Sequence, residues 1–329
     1  MIAKRMKMLF GILALFALAG FSVNCGPAEP TQLTIATGGT AGTYFPVGRA
    51  MAAVITDYAE GIEATAINSG GSIDNAEIIG DKEAELALMQ NDVAYYAQQG
   101  LRMFEGQPVA DIRGIAALYP EIVQIVTLEE YGIESLGDLE GKTVGIGAPG
   151  SGTAVNILQI LKAVGLDETN VDIQYLDFGE CAAALKEKTI HAGCVEAGIP
   201  TSAVTDIASA GDISILEIPD DVYSKLKGDY PFYVPITIPA GTYSGMNEDV
   251  DSVAVLAMLV TSADVPEDVI YKATRAIFEH TSVLVAEHER AGDITLETAL
   301  DGLSVPLHPG AKKYFEEQGL VVPWNARCK

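Results

Sequence analysis

Residues 33–52 read LTIATGGTAGTYFPVGRAMA. A short apolar strand at 33–37 enters a loop made of Gly and Thr. A helical pattern follows, with Val47, Met51, Val54, Ile55 and Tyr58 on one face. The same strand, loop and helix recur downstream. IEATAIN (62–68) leads through SGGS to a helix from about Ile73, and LALMQ (86–90) opens directly into NDVAYYAQQG. A second series starts at Lys142, with KTVGIG, the loop APGSGT and a helix over 154–164. VDIQYL (171–176), a helix to Lys188, IHAGCV (190–195), a helix from Thr201 and ISILEI (213–218) complete it. Strands alternating with helices of 10–15 residues predict mostly parallel sheet.

Two extended runs, 112–128 and PFYVPITIPA (231–240), interrupt the alternation, and Pro231, Pro235 and Pro239 exclude a helix across the second. VAVLAMLV (253–260) reads as an internal strand or helix segment, and the chain then returns to helices, the longest expected from Pro266 to Glu289. The architecture predicted is α/β: two lobes joined by two crossing strands, 112–128 and 231–240, with a ligand cleft between them. Lobe 1 begins at 31–118, lobe 2 takes 119–237, and 238–329 completes lobe 1 and adds C-terminal helices. Such a body opens and closes around its cleft.

The 329 residues carry 20 Lys+Arg against 45 Asp+Glu, a formal net charge of −25. With 49% hydrophobic and 20% charged residues the chain is no disordered polymer. Its acidity excludes a nucleic-acid role, which needs clustered Lys and Arg, and gives an anionic solute no long-range attraction. Residues 1–24 read as an export signal: Lys4, Arg5 and Lys7 precede an uncharged run at 8–21, too short to span a bilayer comfortably. Cys25 stands where a lipoprotein signal puts its acylated cysteine, although Ser22 and Asn24 occupy positions usually held by Leu and a small residue. Two readings follow, a lipid anchor on Cys25 or cleavage nearby with release into the periplasm, and both export the chain. Residues 25–30 form a tether.

Cys181, Cys194 and Cys328 remain. A helix-to-strand disulfide between Cys181 and Cys194 requires Cα atoms within ~7 Å; two separate buried thiols are the alternative. No His stands at ligand spacing from a Cys, so neither metal nor cofactor is expected.

Four loops, TGGTAGTY (37–44), NSGGS (68–72), QNDVAYY (90–96) and GAPGSGT (147–153), share one character. Each joins a strand to a helix, where unpaired N–H groups and the positive end of the helix dipole can hold an anion without an Arg. In open α/β sheets such loops gather beyond the strand carboxyl ends, where ligands bind. Enzymatic readings are weaker. GIGAPG (145–150) matches the dinucleotide pattern G-x-G-x-x-G, with Asp177 after the next strand, but it stands alone in an exported chain. Thr153 occupies the lysine position of a Walker loop, and no G-x-S-x-G surrounds Ser72 or Ser151. His280 and His288 lack H-E-x-x-H spacing, and His308, in LHPGA, is expected to cap the helix that follows.

The run LTIATGGTAGTYFPVGRAMA, then NSGGSIDN, QNDVAYYA, ALYPE, GAPGSGT, PAGTYSG and VPLHPGAKKYFEEQGL, resembles the TAXI branch of TRAP-transporter solute-binding proteins from residue 33 to about 320. The resemblance implies a type II periplasmic-binding-protein fold. It also implies capture of a small organic anion of the glutamate or 2-oxoglutarate class, and delivery to the membrane subunits of a sodium-coupled TRAP permease. Carried over by position, the implied ligand-binding residues are Gly39, Thr40, Thr43 and Tyr44; Ser69, Gly71, Ser72 and Asn75; Gln90 and Asp92; Tyr119 and Glu121; Ser151, Gly152, Thr153 and Asn156. Tyrosines near these loops, Tyr44 and Tyr119 first among them, have two readings: packing on the solute's stem with their hydroxyls on its oxygens, or plain core positions, which singletons more often take. IHAGCVEAGIP (190–200) departs from the family, with His191 and Glu196 where an Asp-Ala pair and bulky apolar residues are usual. Glu196 is expected to be salt-bridged or solvated; in the cleft it would repel a second carboxylate. The alternative function is a periplasmic sensor whose closed form signals to a membrane receptor kinase, and an exported enzyme is the least favoured reading.

Overall fold

The computed structural model describes residues 29–322. The expected signal at 1–24, Cys25, most of the tether and Cys328 lie outside these residues.

The first series forms as read. β1 (Thr31–Ala36), α1 (Tyr44–Tyr58), β2 (Ile62–Ile67), α2 (Ser72–Gly80), β3 (Leu86–Gln90) and α3 (Asn91–Gln99) follow one another, and β1 lies parallel between β2 and β3. Val47, Met51, Val54 and Ile55 bury one face of α1, but Tyr58 is exposed and stacks on His280 instead. The run at 112–128 is one strand, β4 (Ile112–Leu128), which at ~3.3 Å per residue extends ~55 Å. The second series is β5 (Thr143–Gly145), α4 (Gly152–Ala163), β6 (Asp172–Gln174), α5 (Phe178–Lys186), β7 (Ala192–Ala197), α6 (Ser202–Ala210), β8 (Ile213–Ile215) and α7 (Asp220–Asp229). β9 (Val234–Ile238), β10 (Val250–Ser262), α8 (Glu267–Glu279), α9 (Thr281–Glu287) and α10 (Pro309–Glu317) complete the described chain.

All ten strands join one mixed sheet in the order β2-β1-β3-β10-β4-β7-β5-β6, with β8 on β4 and β9 on β10. Two long strands link its halves. The first part of β4 pairs with β10, and from Ile122, opposite Ala197, its second part pairs with β7. β10 pairs with β3 through Ala257–Thr261 and with β9 through Val250–Ala254. The second crossing therefore differs from the sequence expectation: 231–240 contributes only β9, antiparallel to β10, and the long strand is β10. Its core, Val253 to Val260, is buried on both faces, so it reads as an unbroken apolar run that gives no strand period.

The helix expected over 266–289 is two, broken at His280, whose backbone leaves the helical region at φ −128° and ψ 32°. LHPGA forms the N-terminus of α10. His308 Nδ1 accepts from Gly310 N at 3.2 Å, its Nε2 lies 2.9 Å from Val265 O, and Pro309 takes the first turn. A Cβ on Gly310 would lie 2.3 Å from the Glu267 carbonyl oxygen, so glycine lets α10 lie directly on α8.

Candidate functional site

The strand-to-helix loops of both series converge. Gly150 O accepts from Ile73 N at 3.0 Å and Asp74 N at 3.2 Å, so the loop before α4 sits on the N-terminus of α2. Gly71, the N-cap of α2, has φ 114°, a conformation that favours glycine, and a Cβ there would meet Ser151 at 3.4 Å. On the other side Thr43 Oγ1 donates to Gly198 O at 3.2 Å and Ser202 Oγ to Ala41 O at 2.7 Å. The halves thus touch on both flanks and enclose a cavity of about 60 Å³.

Ten of the sixteen residues named from the sequence line this cavity: Gly39, Thr43, Tyr44, Gly71, Ser72, Gln90, Glu121, Ser151, Gly152 and Thr153. Six do not. Thr40 is exposed on the loop. Ser69 Oγ donates to Thr37 O, and Asn75 Nδ2 to Thr37 O and Leu88 O, so both brace the β1 end rather than face a solute. Asp92 accepts from its neighbour Val93 N, Asn156 Nδ2 donates to Glu196, and Tyr119 is buried with its hydroxyl unpartnered. Asp177, Phe178 and Glu196 line the cavity without having been placed there by the sequence. Phe178 carried no polar signal, and it arrives only because Gly42 leaves room for its ring, 3.2 Å from where a Cβ would stand.

Several hydroxyls are already engaged. Tyr44 Oη donates to Glu121 Oε2 at 2.8 Å rather than standing free for a solute. Ser151 Oγ accepts from Ala154 N and donates to Ala148 O, the N-cap of α4, and Ser72 Oγ accepts from Gln90 N. The Thr153 hydroxyl and the N–H groups of Gly152 and Thr153 have no partner among the described residues, which makes the start of α4 the open donor end of the cavity.

Glu196 corrects the expectation of a salt bridge or a solvated carboxylate. It is 2% exposed, has no ion pair among the described residues, and accepts from Gln90 Nε2 at 2.8 Å and Asn156 Nδ2 at 3.1 Å. Sheet register explains its position. Side chains alternate along β4, so Glu121 shares a face with Val123; Val123 is paired with Glu196 of β7, which makes the two carboxyls diagonal neighbours. Burial pushes Glu196 up to about 8, opposed by the Asn156 hydrogen bond. Burial and then the charge of Glu196 hold Glu121 well above the usual range, and burial lifts Asp92 to about 7. Among the described residues no Lys, Arg or His lines the cavity.

Cys181 and Cys194 are free and buried, which corrects the disulfide reading; burial pushes Cys181 up to about 12. No helix among the described residues is long and apolar enough to cross a membrane.

Residues 35–319 match the model of the NMT1-like family. Among solved structures, the chain is similar to a protein from Bordetella bronchiseptica RB50, with TM-score 0.56 and 15% identity over 89% of this chain and 99% of that one. It is similar to MatC from Rhodopseudomonas palustris with bound malate, with TM-score 0.53 and 14% identity over 88% and 97%. The ligand binding component of an ABC-type import system from Staphylococcus aureus, with zinc bound, matches at TM-score 0.51 and 13% identity over 91% and 96%. At these identities the likeness is one of fold, the two-lobed α/β fold of periplasmic binding proteins.

Proposed function

The chain belongs to the NMT1-like family, and from that premise we propose that it is an extracytoplasmic receptor that closes on a small solute and hands it to a membrane permease. The observation that carries this reading is the meeting of loops from both series around one cavity, fastened by the Ile73 and Asp74 N–H groups on Gly150 O. A solute held between two halves favours the closed form by its difference in affinity for closed and open forms, and a permease can read that difference.

The solute carries a carboxylate. The unpaired N–H groups at the start of α4 and the Thr153 hydroxyl supply donors for it, and the helix dipole adds about 0.3–2 kcal/mol. α2 plays another part: its first-turn donors bind Gly150 O and stabilise closure. The permease is of the sodium-coupled TRAP type, a reading supported by the TGGTAGTY and LHPGA motifs. Cys25, lipid-modified, anchors the receptor to the membrane outside the cytoplasm.

Reconstitution tests this function. A TRAP-type permease in proteoliposomes should take up a carboxylate solute only when the purified receptor and a sodium gradient are both present. Uptake that is indifferent to the receptor would overturn the transport role.

A further inference from the structure

Three carboxyls line the cavity, and two of them are out of water. Asp177 is only partly buried and caps α5, accepting from Glu180 N at 2.8 Å. Glu121 and Glu196 are each at most 3% exposed, and their diagonal positions on β4 and β7 set like charges side by side. Among the described residues, the titratable groups that face the pair are acidic or neutral: Tyr44 on α1, Asp92 on α3, Tyr119 on β4, Cys194 on β7 and Tyr233 before β9. Arg290 packs its stem on Gly198, two residues beyond Glu196, but turns its guanidinium to Asp293 at 3.3 Å.

The pair's hydrogen-bond donors are neutral. Glu121 accepts from Tyr44 Oη at 2.8 Å, and Glu196 from Gln90 Nε2 at 2.8 Å and Asn156 Nδ2 at 3.1 Å. Amides and a phenol steady one anion, but they do not offset two in a site shut off from water. Two carboxyls that share a site titrate as a unit, and the first charge raises the cost of the second. Burial, then the charge of Glu196, holds Glu121 well above its usual range, and burial lifts Glu196 to about 8. At neutral pH the closed form therefore keeps a proton on the pair. Opening changes this balance. Gln90 ends β3 in one half and Glu196 stands on β7 in the other, so parting the halves breaks their bond and brings water to the carboxyls. Each then returns toward the ordinary value of 4.5 and gives up its proton. A carboxylate solute entering the same 60 Å³ adds a further negative charge to the cavity, which favours the protonated pair still more.

Resting on the receptor reading above, we propose that a proton is the solute's co-ligand: closure on the carboxylate moves one proton from solvent onto the Glu121–Glu196 pair, and opening returns it. The anion and the proton enter together, so the charge of the closed cavity is unchanged by binding. The grip on the solute loosens as pH rises, without any basic side chain in the wall.

Isothermal titration of the full processed chain tests this with pyruvate, lactate, glutamate, malate and 2-oxoglutarate as probes. Each is run in phosphate and in Tris at pH 7.2, because the heat difference between buffers of unlike ionisation enthalpy counts the protons exchanged. The probe that binds should take up about one proton per solute, and its affinity should fall about tenfold per pH unit between pH 6 and 7.5. The double variant Glu121→Gln with Glu196→Gln, checked for folding by circular dichroism, should lose both the uptake and the pH dependence. Asp92→Asn, outside the cavity, should keep both. Equal heats in the two buffers with affinity indifferent to pH would overturn the proposal and leave the receptor standing, and this wild-type result decides even where a variant does not fold. Uptake that persists in the folded double variant, or that is lost in Asp92→Asn, would also overturn it. No binding of any probe would remove the receptor reading along with it.

Discussion

Gln90 Nε2 donates to Glu196 Oε2 at 2.8 Å, joining the last residue of β3 to a carboxyl on β7 across the boundary between the two halves. Both side chains are almost wholly buried. The contact exists only while the halves are together, so it couples closure to the state of the acidic pair.

Glycine at 152 makes that contact possible. A Cβ there would stand 1.6 Å from Gln90 Oε1 and 3.2 Å from Ser72 Oγ. Gly152→Ala should therefore leave both halves folded, since alanine favours the first turn of a helix, but push Gln90 aside and oppose closure. We expect solute affinity to fall about tenfold or more, equivalent to ~1.4 kcal/mol, with a larger radius of gyration in small-angle scattering. Wild-type affinity in this variant would show that the Gly152 contact does not govern closure.

Stability should fall as pH rises. Burial holds Glu196 near 8, above the ordinary value of 4.5, so between about pH 4.5 and 8 the native chain binds more protons than the unfolded chain. The stability from that proton is complete below the unfolded value and is lost as pH passes through the folded one. Differential scanning calorimetry of the solute-free protein should show Tm falling from pH 5 to pH 8.5. Glu196→Gln should flatten the dependence, by roughly 2–4 °C for each kcal/mol involved; an unchanged slope would place Glu196 in water.

Ser151 and Thr153 separate two roles in one loop. Ser151 Oγ caps α4, so Ser151→Ala should cost about 0.5–2 kcal/mol of stability in urea unfolding. Thr153→Val keeps the shape and removes the free hydroxyl. It should weaken solute binding by ~1 kcal/mol and leave the unfolding midpoint nearly unchanged. The reverse pattern would exchange their functions.

The thiols should be silent in the folded chain. Cys181 is held near 12 and Cys194 is raised well above its usual value, both mainly by burial, and thiolate is the reactive form. Iodoacetamide at pH 8 should label neither within the time that labels both in urea, as read by peptide mass spectrometry. Rapid native labelling of either would contradict its burial.

Much of this was legible in the chain. β3 matched LALMQ residue for residue, because a short apolar run with an immediate helix start leaves little room for error. His308 caps α10 as LHPGA suggested, for the motif supplies cap, first-turn proline and contact glycine together. What escaped was set by distant partners. β10 is apolar from Val253 to Val260, so only its pairing with β3, β4 and β9 identifies it as the second long strand. Glu196 looked like a surface charge because nothing local says that register with β4 carries it beside Glu121. Ser69 and Asn75 had the right chemistry in the right loop, but their hydrogen bonds turn back onto Thr37 and Leu88.

Native mass spectrometry of the full processed chain, as purified and after incubation with amino acids, keto acids and dicarboxylates, asks most directly whether the cavity between the halves holds a solute. One small molecule per chain is expected on the wild type, and the same molecule should be lost from Gly152→Ala. No adduct from any compound, or one retained equally by the variant, would contradict it.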